Sequence, residues 1–209
     1  MITIVDYGMG NVQSVRNALS HLGAPNAINA DPQAVAESDA LILPGVGSFH
    51  TAMTNIRDRQ LLEALNHAVA RRGALVLGIC LGMQLFAEIG HEGGRTAGLG
   101  WIEGEVRRLA PREAMRLPHI GFNTLTFHGD GGGLFQGLGT SADYYFVHSY
   151  HFVAARPKDV IGTCDYGETF AGAVHRGNVW GVQFHPEKSQ GNGLRLLANF
   201  ARMCACAGE

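Results

Sequence analysis

The segment Gly78-Ile79-Cys80-Leu81-Gly82 constrains this chain more than any other. It follows a continuous apolar run, Leu75–Ile79, as expected of a strand buried on both faces, and it precedes a helical pattern over Leu81–Glu88. G-x-C-x-G between strand and helix is the cysteine counterpart of the G-x-S-x-G nucleophile elbow. In so tight a turn a side chain at either glycine would collide with neighbouring backbone, and the central residue is pushed out at the carboxyl end of the strand. Open α/β sheets place their ligands at that edge. Free cysteines are usually buried and inert, but this context favours a nucleophile. The following helix is expected to aim its amino terminus at the sulfur and favour the thiolate.

The rest of the first half alternates strand and helix patterns. Ile2–Val5 and Ala40–Leu43 read as strands, and Val12–Leu22 and Gln60–Arg71 as amphipathic helices. From Gly100 the texture changes to short strands separated by Gly, Pro and Asp: Trp101–Leu109, Ile120–Phe127, Tyr144–Val147, Val160–Thr163, Phe170–Val174 and Val179–Phe184. A helix over Asn192–Arg202 closes the pattern. The expected fold is α/β, a mostly parallel central sheet flanked by helices, with a smaller antiparallel β extension in the second half. No repeat or linker interrupts it, so residues 1–209 read as one domain.

Composition narrows the classes. With Lys+Arg 16 against Asp+Glu 18, no basic excess points to nucleic acid or an anionic membrane. The longest apolar stretch, Ala74–Ala87, is glycine-interrupted and short of the ~20 residues of a spanning helix. Met1 leads directly into a strand, and the four cysteines form no disulfide framework, which together read as a reduced, cytoplasmic protein.

A cysteine nucleophile needs a base, and the base needs an orienting partner. Val182-Gln183-Phe184-His185-Pro186-Glu187 supplies both. If the chain stays extended, His185 and Glu187 project to one side, and Pro186 disfavours helix at His185. Acyl chemistry also needs oxyanion donors. The loop Gly45-Val46-Gly47, directly after the strand Ala40–Leu43 and its Pro44, offers backbone N–H groups at the same sheet edge, alongside the N–H of Leu81. Cys204-x-Cys206 lacks further nearby ligands and reads as a pair of solvent-exposed bystanders, so no metal is expected. Gly8-x-Gly10 has Gln13 where a dinucleotide fingerprint has its third glycine, and no cofactor is expected.

Gly78-Ile79-Cys80-Leu81-Gly82-Met83-Gln84 together with Gly181-Val182-Gln183-Phe184-His185-Pro186-Glu187 resembles the class I (triad) glutamine amidotransferases. Asp6-Tyr7-Gly8-Met9-Gly10-Asn11, Pro44-Gly45-Val46-Gly47-Ser48-Phe49, Pro118-His119-Ile120-Gly121-Phe122-Asn123, Tyr144-Tyr145-Phe146-Val147-His148-Ser149-Tyr150 and Glu187-Lys188-Ser189-Gln190 are similar to segments of one branch, the glutaminase subunits of imidazole glycerol phosphate synthases. The resemblance runs from the first strand to the last helix. It implies a flavodoxin-like glutaminase fold, a Cys80–His185–Glu187 triad, and hydrolysis of glutamine through a cysteinyl thioester. Ammonia would pass to a (β/α)8-barrel cyclase subunit that makes imidazole glycerol phosphate and aminoimidazole carboxamide ribotide in histidine biosynthesis.

The resemblance also implies that Gly47, Gln84, Ser149 and Tyr150 hold the glutamine, and that Asn11, Pro118, Phe122, Asn123, Tyr145 and Lys188 face the cyclase. One departure is visible: Phe122 stands where the family commonly has Trp, which removes an indole N–H. Two other readings of the same residues stand beside this one: a paralogous glutaminase serving another synthase, such as a sugar amidotransferase, and a cysteine hydrolase outside the family. Against the second, Leu81 rather than His follows Cys80.

Overall fold

Strands that are apolar on both faces require a layer on each side, and alternation of strand with helix supplies it. The computed structural model describes residues 1–110 and 115–206. In chain order these form β1 (Ile2–Val5), α1 (Val12–His21), β2 (Asn26–Asn29), α2 (Pro32–Ala36), β3 (Ala40–Gly45), α3 (Phe49–Asp58) and α4 (Leu61–Asn66), which a π-helical turn His67–Arg71 continues. Next come β4 (Leu75–Cys80), α5 (Leu81–Gln84), β5 (Ile89–Gly90), β6 (Thr96–Ala97) and β7 (Gly104–Arg108). The second half contributes β8 (His119–Phe127), β9 (Ser141–His148), β10 (Tyr150–Ala154), β11 (Val160–Asp165), β12 (Thr169–Arg176), β13 (Val179–Val182) and α6 (Gln190–Cys206).

A nine-stranded sheet runs in the order β2-β1-β3-β4-β13-β12-β11-β8-β9. Its first five strands pair in parallel, and the other four continue the same sheet antiparallel. The antiparallel extension is therefore nearly as wide as the parallel part. A separate four-stranded sheet, β10-β7-β5-β6, stands beside it. The chain passes between the sheets at Ser149, the single residue separating β9 from β10.

Side chains alternate across the central strands. Leu41, Leu43 and Val76 pack in one cluster with Phe49, Met53, Ile56 and Leu65 of α3 and α4. Ile42, Leu77 and Ile79 pack in another with Val15 and Leu19 of α1 and Leu197 and Phe200 of α6. Each such fully buried side chain contributes about 1.5–3 kcal/mol relative to exposure. β4 lies between β3 and β13, so the carboxyl ends of three parallel strands converge on one edge.

Three expectations change. The helix after Cys80 is four residues long, Leu81–Gln84, rather than reaching Glu88, and the chain then turns into the small sheet. The strand before His185 ends at Val182, not Phe184. Cys204 is half-buried against the core while Cys206 alone is exposed, because α6 stays helical through Cys206.

Candidate active site

Cys80 has φ +55° and ψ −109°, a conformation L-residues rarely adopt. The surrounding packing holds it there. A Cβ on Gly82 would lie 1.8 Å from the Leu43 carbonyl oxygen, and one on Gly78 would lie 2.7 Å from the backbone carbon of Gly82. Only glycine lets α5 descend so closely on β3 and β4, and that descent turns Cys80 toward the sheet edge. The shortness of α5 alters one expectation: four residues carry little macrodipole, so the helix is a weak source of positive potential for the sulfur.

His185 supplies that potential. Its Nδ1 lies 2.8 Å from Glu187 Oε1, and the two side chains are only 3% and 2% exposed. His185 itself is extended (φ −102°, ψ 95°), but Pro186–Lys188 forms a 3-10 turn. That turn, rather than a continuing strand, folds Glu187 back onto the imidazole. The backbone is clasped as well: His185 N–H donates to Tyr145 O at 2.9 Å. Ser189 Oγ–H donates to His185 O at 2.6 Å, and Tyr145 N–H donates to Ser189 Oγ at 2.9 Å. His185 Nε2, on the far side of the ring from Glu187, is buried and without a hydrogen-bond partner among the described residues. Burial opposes a charged ring, yet the nearness of the Cys80 sulfur and the Glu187 carboxylate outweighs it and raises the imidazole to about 9.

Cys80 opens into a cavity of about 390 Å³ lined by Val46, Gly47, Ser48, Leu81, Gln84, Glu92, Pro118, Val147, His148, Ser149 and Tyr150. The expected oxyanion loop is thus at the mouth of the site. Gly45 pairs with Cys80 across β3 and β4. Tyr7, fully buried, donates its hydroxyl to Pro44 O at 2.7 Å and anchors the start of the loop. Val46 is exposed and Gly47 takes φ +108°.

One carbonyl organises the cavity wall. Tyr150 O accepts from Gln84 Nε2 at 2.9 Å and from His148 Nδ1 at 2.9 Å. Because an oxygen of this kind only accepts, His148 carries its proton on Nδ1 and leaves Nε2 as an acceptor. His119 Nδ1–H then donates to His148 Nε2 at 3.1 Å, and Asn123 Nδ2 donates to His119 Nε2 at 3.3 Å. Desolvation keeps both rings neutral, lowering His119 to about 4 and His148 to about 3. On the other branch, Gln84 Nε2 donates to Gln183 Oε1 at 3.1 Å, and Gln183 Nε2 lies 3.6 Å from Cys80 Sγ.

Of the residues expected to face a partner, Phe122 stacks edge-on against Tyr145 with ring centroids 5.6 Å apart, and Lys188 Nζ lies 6.0 Å from the Tyr145 ring. Phe122 and Ile120 are 52% and 58% exposed, two residues apart on β8. Asn11 caps α1 through Ser14 N–H, and Asn123 also donates to Asp165 O. Away from this edge, His91 Nε2 pairs with Glu105 Oε2 at 2.7 Å.

Sequence reasoning missed three residues here. Among the described residues Glu92 is the cavity's one acidic lining residue, and its carboxylate accepts from Phe49 N–H at 2.8 Å. Gln183 and Ser189 are the others. Gln183 left a signal, since it is a polar residue inside an apolar strand end; Glu92, in a glycine-rich loop, left none.

The profile of the family described as glutamine amidotransferase class-I matches residues 3–204. The imidazole glycerol phosphate synthase subunit HisH of Moorella thermoacetica is 46% identical over 208 residues, covering 100% of this chain and 97% of that protein. The protein of the same name from Symbiobacterium thermophilum is 50% identical over 202 residues, covering 97% and 93%. Among solved structures, a glutamine amidotransferase from Thermotoga maritima superposes with a TM-score of 0.62 at 15% identity, covering 99% of this chain and 84% of that one. At that identity the likeness concerns the fold.

Proposed function

This chain belongs to the class-I glutamine amidotransferase family, and from that membership we infer that it is the glutaminase subunit of an imidazole glycerol phosphate synthase. It hydrolyses glutamine to glutamate and ammonia for histidine biosynthesis, as one component of the synthase. We assign the receiving partner as a (β/α)8-barrel cyclase and the compartment as the cytoplasm. Among the described residues no helix is long and apolar enough to cross a membrane. We read residues 1–209 as one domain of this family.

The observation that carries the catalytic roles is the His185–Glu187 pair, buried beside an elbow cysteine that opens into a cavity lined by the Glu92 carboxylate. In this reading the Cys80 thiolate attacks the side-chain amide carbon of glutamine, and the oxyanion is held by N–H groups of Leu81 and the Gly45–Gly47 loop. His185 as imidazolium gives its proton to the departing nitrogen, the C–N bond breaks, and ammonia leaves a glutamyl thioester. Water then attacks the thioester, His185 takes a proton from it, and glutamate is released with the thiolate restored. Glu187 fixes the imidazole with Nδ1 protonated and stabilises its charged form. Glu92 faces the α-ammonium of the substrate, while Gln84, Gly47, Ser149 and Tyr150 hold the rest.

Pro118, Phe122, Asn123, Tyr145, Lys188 and Asn11 form the docking edge in this proposal, supported by the exposed Phe122 and Lys188 gathered around half-buried Tyr145. Ammonia released beside it is kept from protonation in bulk water. The test is Cys80→Ala assayed with the cyclase: glutamine-dependent synthesis is lost while ammonia-dependent synthesis persists. Retained glutamine turnover would refute the assignment, and recovery of a sugar-modifying synthase in a pull-down would redirect it.

A further inference from the structure

We propose that Gln183 belongs to the catalytic machinery: its side-chain N–H donates to the Cys80 sulfur and stabilises the thiolate, in an orientation imposed by Gln84 and the Tyr150 carbonyl. The proposal rests on Cys80 being the nucleophile.

Gln183 is 0% exposed, between Val182 and Phe184 at the end of the strand beside β4. A primary amide in such a place costs about 1–3 kcal/mol for each polar group left unpaired. Its oxygen and nitrogen both have partners, and these fix which end is which. Tyr150 O only accepts, so the amide nitrogen of Gln84 must face it, at 2.9 Å. The second hydrogen of that nitrogen meets Gln183 at 3.1 Å, so Gln183 presents its oxygen there. Its nitrogen is left facing the sulfur, at 3.6 Å. Rotating Gln183 by half a turn would oppose two N–H groups at one end and bring a carbonyl oxygen against the sulfur at the other. Rotating Gln84 would oppose two oxygens at Tyr150. Neither flip is tolerated, so the donor is locked on the sulfur.

Besides the nearby His185 imidazole, Sγ also meets the carbonyl of Val147, at 3.9 Å. The two contacts prefer opposite protonation states. A thiol donates to Val147 O, whereas a thiolate gains nothing from a carbonyl and is stabilised by the N–H of Gln183, a charge-assisted bond stronger than the neutral one it replaces. Because α5 is only four residues long and carries little dipole, this amide adds to the stabilisation that His185 gives the sulfur. Gln84 meanwhile has both N–H hydrogens committed within the protein and offers its remaining oxygen to the cavity.

The experiment is the pH profile of Cys80 alkylation by iodoacetamide, followed on the Cys80 peptide by mass spectrometry, which separates it from the other three cysteines. It needs no glutamine, so it stands apart from the glutaminase assignment. Gln183→Leu is expected to move the midpoint to higher pH by about half a unit to one unit. Gln183→Glu, which keeps an oxygen toward Gln84 but faces the sulfur with a second one, is expected to move it further. A wild-type profile in both folded variants overturns the proposal. If neither variant folds, the side-chain NH2 resonances of Gln183 in the wild-type chain decide. They should titrate with the same midpoint as Cys80 alkylation, and resonances that ignore Cys80 ionisation overturn the proposal.

Discussion

Gly82→Ala puts the elbow geometry under direct strain. The new Cβ would sit 1.8 Å from Leu43 O, where ordinary contact begins at 3.4 Å, so α5 and β3 must part by about 1.6 Å. The obstacle is backbone, and no rotamer relieves it. Leu43 is also held in register opposite Gly78, so moving it disturbs the β3–β4 ladder. Overpacking of this kind costs about 1–3 kcal/mol, and a backbone clash between paired elements belongs at the upper end, about 3 kcal/mol. In a chain of this size that lowers Tm by roughly 6–12 °C. Cys80 moves with the helix, and a displacement of about 1 Å lowers turnover about 100-fold. Urea unfolding and glutaminase assays on the same preparations measure both. Gly191→Ala in the first turn of α6 is the control, since its Cβ meets nothing within 4 Å and gains about 0.5 kcal/mol of helix propensity. A Gly82→Ala protein as stable and as active as the parent would show that the close approach is not what shapes the elbow.

Three further outcomes follow from the site. Glu187→Gln keeps the shape but removes the charge facing Nδ1, and should lower kcat about 10²–10⁴-fold; an unchanged kcat would remove Glu187 from the triad. Glu92→Gln should raise KM for glutamine about tenfold or more with little change in kcat, since an α-ammonium contact acts equally in ground and transition states; an unaltered KM would place the ammonium elsewhere. His119 and His148 bear on pH: their folded values, about 4 and about 3, lie below the unfolded 6.5. The unfolded chain therefore binds more protons between those values, and stability present above pH 6.5 is lost as pH falls toward them. Between pH 6.5 and 5 the two rings together should remove about 3 kcal/mol, read as a falling urea midpoint; a midpoint flat over that range in the wild type would mean the rings are not held neutral.

The candidate site was legible in the sequence where residue types stand at fixed spacing within one segment. Gly78 and Gly82 around Cys80 announce the turn because a Cβ at either would meet backbone, and His185-Pro186-Glu187 announces the paired imidazole and carboxylate, though the 3-10 turn that joins them was not visible. Elements depending on tertiary context were harder to see. Tyr144–Val147 reads as a strand that stops there, yet β9 runs from Ser141 to His148 and, past Ser149, the chain continues as β10 in the second sheet, which is what brings Tyr150 O into the cavity. α3 was overlooked although Ser48 caps it and Phe49, Ala52, Met53 and Ile56 form an apolar stripe. β2, Asn-Ala-Ile-Asn, has no apolar pattern and exists because the edge of β1 is available to it. α5 was expected to be longer because Leu85, Phe86 and Ala87 are apolar, but they are apolar to fill the core under the turn.

The Tyr150 carbonyl belongs to the peptide chain rather than to a side chain, and no substitution deletes it. Exchanging amino acids at position 150 leaves the acceptor in place, so an alanine scan would score this position as tolerant while the ring tautomers and amide orientations it dictates persist. Its importance would emerge only from replacing the amide itself, as with an ester bond installed between Tyr150 and His151 by chemical ligation. That change weakens the acceptor without altering any side chain, and it slackens the Gln84 and His148 branches together.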